Sequence, residues 1–271
     1  MNATGSKAYT VADLLRVMQR LRDPEYGCPW DLKQDFASIV PSTIEECYEL
    51  AQAIEHQDYA HVAEELGDVL FQVVFYSQLG SERHLFDFNQ VVSTLVEKLL
   101  RRHPHVFANG EIEGVVTDAT SVEAVSASWE SIKQVERSAR ELHSALADVP
   151  LALPALSRAQ KLQKRAARTG FDWENVTGVL DKLDEEIAEL REALANRDSQ
   201  ATEEELGDLL FSCVNLARHL RQDAETALRR SSEKFETRFR AMEAFADADG
   251  TQLDQLDSDA LEALWVRAKE S

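Results

Sequence analysis

The segment Glu64-Glu65-Leu66-Gly67-Asp68-Val69-Leu70-Phe71 returns 140 positions later as Glu204-Glu205-Leu206-Gly207-Asp208-Leu209-Leu210-Phe211. At the same spacing Glu45-Glu46-Cys47-Tyr48-Glu49 returns as Glu185-Glu186-Ile187-Ala188-Glu189. Lys98 and Arg102 recur as Lys234 and Arg238, and Trp129 and Lys133 as Trp265 and Lys269, now 136 positions apart. Upstream, Gly27 and Trp30 pair with Gly170 and Trp173. An ordered series of matches with small length changes between them marks a tandem duplication, which constrains the chain to two related units. The copies are expected at 11–137 and 156–271, with 138–155, which holds Pro150 and Pro154, as the linker.

Each copy reads as helical. All six prolines lie in the first 154 residues, and the rest is rich in Ala, Leu, Glu, Arg and Lys. Apolar residues recur at helical spacing, as in Leu183, Ile187, Leu190, Leu194 and in Leu66, Leu70, Val73, Val74. The predicted fold class is all-α, two tandem helical bundles, with Val115-Val116 as the one place for extended chain. The stretches from His103 to Ser121 and from Ala246 to Ser258 are predicted loops, and His103-Pro104-His105 a helix terminus.

Charge excludes several functions. With 49 acidic and 29 basic residues the formal net charge is −20, which repels nucleic acid and anionic membrane alike. A phosphorylated ligand then needs a metal ion or a local basic pocket. Cys28, Cys47 and Cys213 are too few and too scattered for a disulfide framework or a zinc knuckle. With no apolar run of membrane-spanning length and no signal-like start, the expected setting is cytoplasmic.

The chemistry is concentrated in carboxylates. Each copy has two pairs three residues apart, Glu46/Glu49 with Glu65/Asp68 and Glu186/Glu189 with Glu205/Asp208. Residues at that spacing share a helix face, so like charges stand side by side at a cost of a few tenths of a kcal/mol, and something should offset it. In the second copy Glu205, Asp208, Ser212 and Asn215 form one polar stripe on an otherwise apolar helix, which implies carboxylates held near a packed interior. A turn near Asn196 to Ser199 would make the two helices an antiparallel hairpin, their carboxylates meeting around one or two ions. An all-oxygen set suits Mg2+ or Mn2+, whereas zinc would usually bring His or Cys. Gly67 and Gly207, inside these helices, suggest close backbone approach.

Positive charge is scarce, so its recurrence is informative. Lys234 with Arg238, and Trp265 with Lys269, lie one helical turn apart and have counterparts in the first copy, which points to an anionic ligand. Lys182 stands four residues before Glu186, in ion-pair spacing. Its first-copy counterpart is Ser42, and that of Asn215 is Phe75.

Glu185-Glu186-Ile187-Ala188-Glu189 followed by Glu205-Leu206-Gly207-Asp208 resembles the signature of the MazG nucleotide pyrophosphohydrolases, in the all-α NTP pyrophosphatase superfamily. Arg101-Arg102-His103-Pro104-His105-Val106-Phe107 and Gly170-Phe171-Asp172-Trp173 extend the likeness over nearly the whole chain. The resemblance implies a homodimer of helical bundles that hydrolyses nucleoside triphosphates, with magnesium, to the monophosphate and pyrophosphate, in nucleotide-pool regulation or house-cleaning. By matching position, Glu186, Glu189, Glu205 and Asp208 hold the metal, and Lys182, Asn215, Lys234, Arg238, Trp265 and Lys269 contact the substrate. Glu46, Glu49, Glu65 and Asp68 form a second site, expected to be inactive although it keeps all four carboxylates. Competing readings are a phosphoribosyl-ATP pyrophosphohydrolase, which the duplication and the Trp265/Lys269 segment fit poorly, and a non-catalytic nucleotide sensor or partner-binding protein.

Overall fold

A computed structural model describes residues 8–116, 121, 124, 125, 128, 129, 131, 132, 136 and 144–270. Lys133 and the first residues of the expected linker, 138–143, lie outside them. The described residues contain helices and irregular chain but no strand, and Val115-Val116 is irregular. The chain divides into two compact units, Met1–Lys133 and Gln134–Ser271.

In the first unit α1 (Val11–Leu21) starts at Thr10, whose hydroxyl accepts from the Asp13 N–H while Asp13 caps the Thr10 N–H in return. A short α2 (Pro29–Lys33) follows, then α3 (Val40–Glu55) and α4 (Tyr59–Glu82), packed as a hairpin, and α5 (Phe88–Arg102). The core is Met18, Ile39, Val74, Phe75 and Leu79, with Leu14, Leu15, Phe36 and Phe71 against it. The buried Arg22 forks onto Glu82 at 2.8 and 2.7 Å, a desolvated cation with its charge matched. α5 stops at Arg102 because Pro104 cannot continue it, and His103 caps it as expected.

The second unit repeats the plan with α6 (Ala155–Ala167), the hairpin α7 (Val176–Asn196) and α8 (Ser199–His219), then α9 (Ala224–Ala248) and α10 (Ser258–Glu270). Asn175 and Asp198 cap α7 and α8, and Arg197 turns the chain between them in the left-handed conformation, φ 57°. The turn falls where the sequence placed it. Gln160 pins α6 to the start of α9, donating to the Gln222 carbonyl and accepting from the Ala224 N–H. Residues 144–149 are not bare tether: the Arg165 guanidinium donates to the carbonyls of Ala147 and Asp148, and Val149 is buried. One expected loop is shorter than predicted. α9 runs through Ala248, because Met242 and Ala246 carry its buried face one turn further, and Leu253–Gln255 adds a 3-10 turn.

α8 sets the predicted polar stripe toward the interior, as the sequence implied, except for the exposed Asp208. Ser212 is buried and Glu205 and Asn215 half-buried, while Leu206 and Leu210 on the other face are 47% and 52% exposed. Gly67 and Gly207 do not serve close approach as expected. They lie on exposed helix faces, where a Cβ would meet nothing within 4 Å. No helix among the described residues is long and apolar enough to cross a membrane.

Candidate active site

α7 and α8 lie side by side because a two-residue connection leaves no other course. Their facing positions bring three carboxylates together: ligand atoms of Glu186, Glu205 and Asp208 all lie within 4.8 Å of one another. Glu186 is only 4% exposed. Its Oε1 meets the Lys182 ammonium at 2.9 Å, and the same ammonium donates to Glu185 at 2.8 Å, contacts that raise the lysine pKa and keep it charged. One lysine faces three carboxylates, so negative charge is left over. Glu205 shows the consequence: its carboxyl is held above the usual range, first by desolvation, then by Glu189, Glu186 and Asp208.

Glu189, expected as a fourth ligand, is not in this trio. It is exposed, yet of the neighbouring charges it has the largest effect on Glu205. The trio's donors are all oxygen, the chemistry for Mg2+ or Mn2+, and a divalent cation would supply the charge that Lys182 alone does not.

A cavity of about 680 Å³ opens beside the trio, with Lys182, Glu186, Asp208 and Asn215 on its wall. That size suits a nucleotide-scale ligand. Phe171, Trp173 and Phe211 make much of the remaining wall apolar. Gly170, at φ +88°, is in the left-handed conformation that glycine adopts without strain, and it turns Phe171-Asp172-Trp173 into the cavity wall. Asp172 holds Arg218 through both carboxylate oxygens and His219 at 3.0 Å, and Arg218 holds the cavity's Asn215 through Oδ1 at 3.0 and 2.7 Å. The Arg218 hydrogen bonds keep the Asp172 carboxyl below its usual range.

Three of the four remaining expected contacts line a separate cleft of about 380 Å³. Lys234, Arg238 and Lys269 line it, and none of its lining residues belongs to the carboxylate cavity. Trp265 packs on Phe235 at 5.5 Å between ring centroids, with the Arg238 guanidinium and the Lys269 ammonium 6.0 and 5.6 Å from its ring. The structure therefore joins Lys182 and Asn215 to the trio and sets Lys234, Arg238, Trp265 and Lys269 apart within the chain.

Sequence reasoning missed Asp172, Arg218 and His219 as site residues. A signal existed for two of them, because continuing the stripe of Glu205, Asp208, Ser212 and Asn215 by three and four residues reaches Arg218 and His219. Nothing in the sequence marks Gln163, whose buried amide donates to the Phe211 carbonyl at 2.8 Å while its Oε1 has no hydrogen-bond partner.

In the first unit Glu46, Glu49 and Glu65 also bring ligand atoms within 4.8 Å of one another. Here Asp68 is the member outside, though with burial, the leading cause, it helps hold the Glu46 carboxyl above its usual range. The surroundings differ. Phe75 takes the place of Asn215 and is fully buried in the core. Trp129 lies edge-on to His103 at 4.9 Å between ring centroids.

The family model of the MazG nucleotide pyrophosphohydrolase domain matches residues 34–107 and 174–242. A nucleoside triphosphate pyrophosphohydrolase of Escherichia coli (strain K12) is 50% identical over 260 residues, 94% of this chain and 95% of the relative. A nucleoside triphosphate pyrophosphohydrolase/pyrophosphatase MazG of Thermotoga maritima is 44% identical over 257 residues, 95% of this chain and 94% of its own. The crystal structure of a mazG-related protein from Thermotoga maritima aligns with 46% of this chain and 99% of its own at 26% identity, with a TM-score of 0.38.

Proposed function

The chain belongs to the MazG nucleotide pyrophosphohydrolase family, and we propose that its second unit hydrolyses nucleoside triphosphates to the monophosphate and pyrophosphate with the help of Mg2+. The observation that carries this assignment is the trio of Glu186, Glu205 and Asp208, two of which, Glu186 and Asp208, line a nucleotide-sized cavity. When bound there, a divalent ion neutralises phosphate oxygens and acidifies a water molecule. Glu189, outside the trio but acting on the charge of Glu205, is assigned as the base that takes the proton of the water attacking the α-phosphorus. Lys182 adds fixed positive charge at the trio, and Asn215, braced by Arg218, holds the substrate on the cavity side. Trp173 and Phe211 offer faces on which a base can stack.

The basic cleft lined by Lys234, Arg238 and Lys269, with Trp265 against the last two, is assigned to the phosphate chain, where positive charge would stabilise the departing pyrophosphate. Its separation from the trio within one chain fits an active centre completed by a second copy. The exposed Leu206 and Leu210 support that pairing, since an apolar helix face of this kind is normally covered. The proposed setting is the cytoplasmic nucleotide pool, with the first unit taking no part in turnover.

Phosphorus NMR of a mixed nucleoside triphosphate pool with Mg2+ tests the reaction. Monophosphate and pyrophosphate in equal amounts support it, whereas diphosphate with orthophosphate would place the cut at the wrong bond.

A further inference from the structure

The wall of the second unit's cavity holds a buried amide with one end unpaired. Gln163, on α6, lines the cavity and is 7% exposed. Its Nε2 donates to the Phe211 carbonyl at 2.8 Å, which fixes the amide's orientation, while its Oε1 is buried with no hydrogen-bond partner among the described residues. An unpaired buried acceptor is costly unless a ligand supplies the missing donor. Lys182 and Arg218, on the same wall, are committed elsewhere, the first to Glu185 and Glu186 and the second to Asp172 and Asn215.

The donor then comes from the substrate, and a nucleoside triphosphate narrows the choice. Its ionised phosphate oxygens only accept, which leaves sugar hydroxyls and base N–H groups. Gln163 stands on α6 next to Leu162 and one turn before Ala166, both of them cavity residues, and its hydrogen bond ties it to Phe211, one of the rings assigned to the base. Resting on the reading of the second unit as a nucleoside triphosphate pyrophosphohydrolase, we propose that Gln163 determines base specificity, its Oε1 accepting a hydrogen bond from the exocyclic amino group of adenine or cytosine. A recessed acceptor is met by an amino group that projects from the ring. The ring N–H of hypoxanthine or uracil stands beside a carbonyl oxygen, which would turn a second acceptor toward Oε1. Because Phe211 holds Nε2, the amide does not rotate to offer a donor instead.

Steady-state pyrophosphate release by the full chain with Mg2+, on substrates that differ at one group, tests this. In the wild type kcat/KM is expected to be about ten-fold or more higher for ATP than for inosine triphosphate, and for CTP than for UTP. Purine riboside triphosphate, with hydrogen in place of the amino group, is expected to fall with inosine triphosphate, an arm that needs no variant. Gln163→Met, close in length but without the amide, is expected to bring both ratios to within about two-fold of one. Equal kcat/KM for amino and keto bases in the wild type, ratios that survive Gln163→Met, or ATP and purine riboside triphosphate turned over alike would overturn the proposal and leave the pyrophosphohydrolase reading standing. So would a loss with 2′,3′-dideoxy-ATP that Gln163→Met erases, since Oε1 would then belong to the sugar. Release of pyrophosphate from none of these substrates by the wild type would refute that reading, and this proposal with it.

Discussion

Glu205 is the residue at which the site's electrostatics can be read most directly. Its raised pKa means that the folded, metal-free protein holds a proton there more tightly than the unfolded chain does. Such a group contributes stability that is fully present below the ordinary carboxylate pKa and lost as pH rises through the raised value. Glu205→Gln removes the titration. The variant is therefore expected to gain stability over the wild type as pH rises through that window, in chelator, with saturating Mg2+ shrinking the difference; parallel melting curves at every pH would contradict this. A second expectation separates the two copies. Glu189→Ala lowers turnover by about 10²–10⁴-fold if it is the base, whereas Glu49→Ala changes it little, and equal losses in steady-state kinetics would contradict the division between units. The carboxylates were legible because charge repulsion at i,i+3 is local and the duplication shows it twice. The Asp172–Arg218 clamp was not, because its partners lie 46 residues apart and only the fold brings them together.

At the scale of the element, the α7–α8 hairpin is set by its short connection and its caps. The Asp198 side chain accepts from the N–H groups of Gln200 and Ala201, both at 3.1 Å, and closes the start of α8. Asp198→Ala should cost about 1 kcal/mol in denaturant unfolding, and a variant as stable as the wild type would show that the cap is not what holds the turn. Helix positions and this turn were readable from periodicity and chain length. The inward setting of the α8 stripe was readable as well, from carboxylates crowded on an otherwise apolar helix, but the exposure of Leu206 and Leu210 was not. The stripe lies toward the partner helix and the cavity, while of the apolar residues Val214 is buried and Leu206 and Leu210 are exposed. Periodicity reports that a helix has two faces and leaves open which one a neighbour covers. The same limit explains Gly207, whose small size was attributed to a close neighbour that is absent within the chain.

Across the whole molecule, the duplication, the all-helical architecture and the family were visible in the sequence, since each rests on repeated local patterns. What covers Leu206 and Leu210 depends on a second surface, which local patterns do not encode. If a second copy covers them, Leu210→Glu should convert a dimer to a monomer in sedimentation and depress hydrolysis with it, and a wild-type protein that sediments as a monomer would remove the dimer from the account. The central claim is that carboxylates of the second unit hold the divalent ion on which hydrolysis depends. Its most direct test is the rate of pyrophosphate release as Mg2+ is titrated into wild type, Glu186→Gln and Glu46→Gln. The account predicts saturable activation by Mg2+ for wild type and Glu46→Gln and a nearly flat line for Glu186→Gln. A full rate in excess chelator, or undiminished turnover by Glu186→Gln, would contradict it.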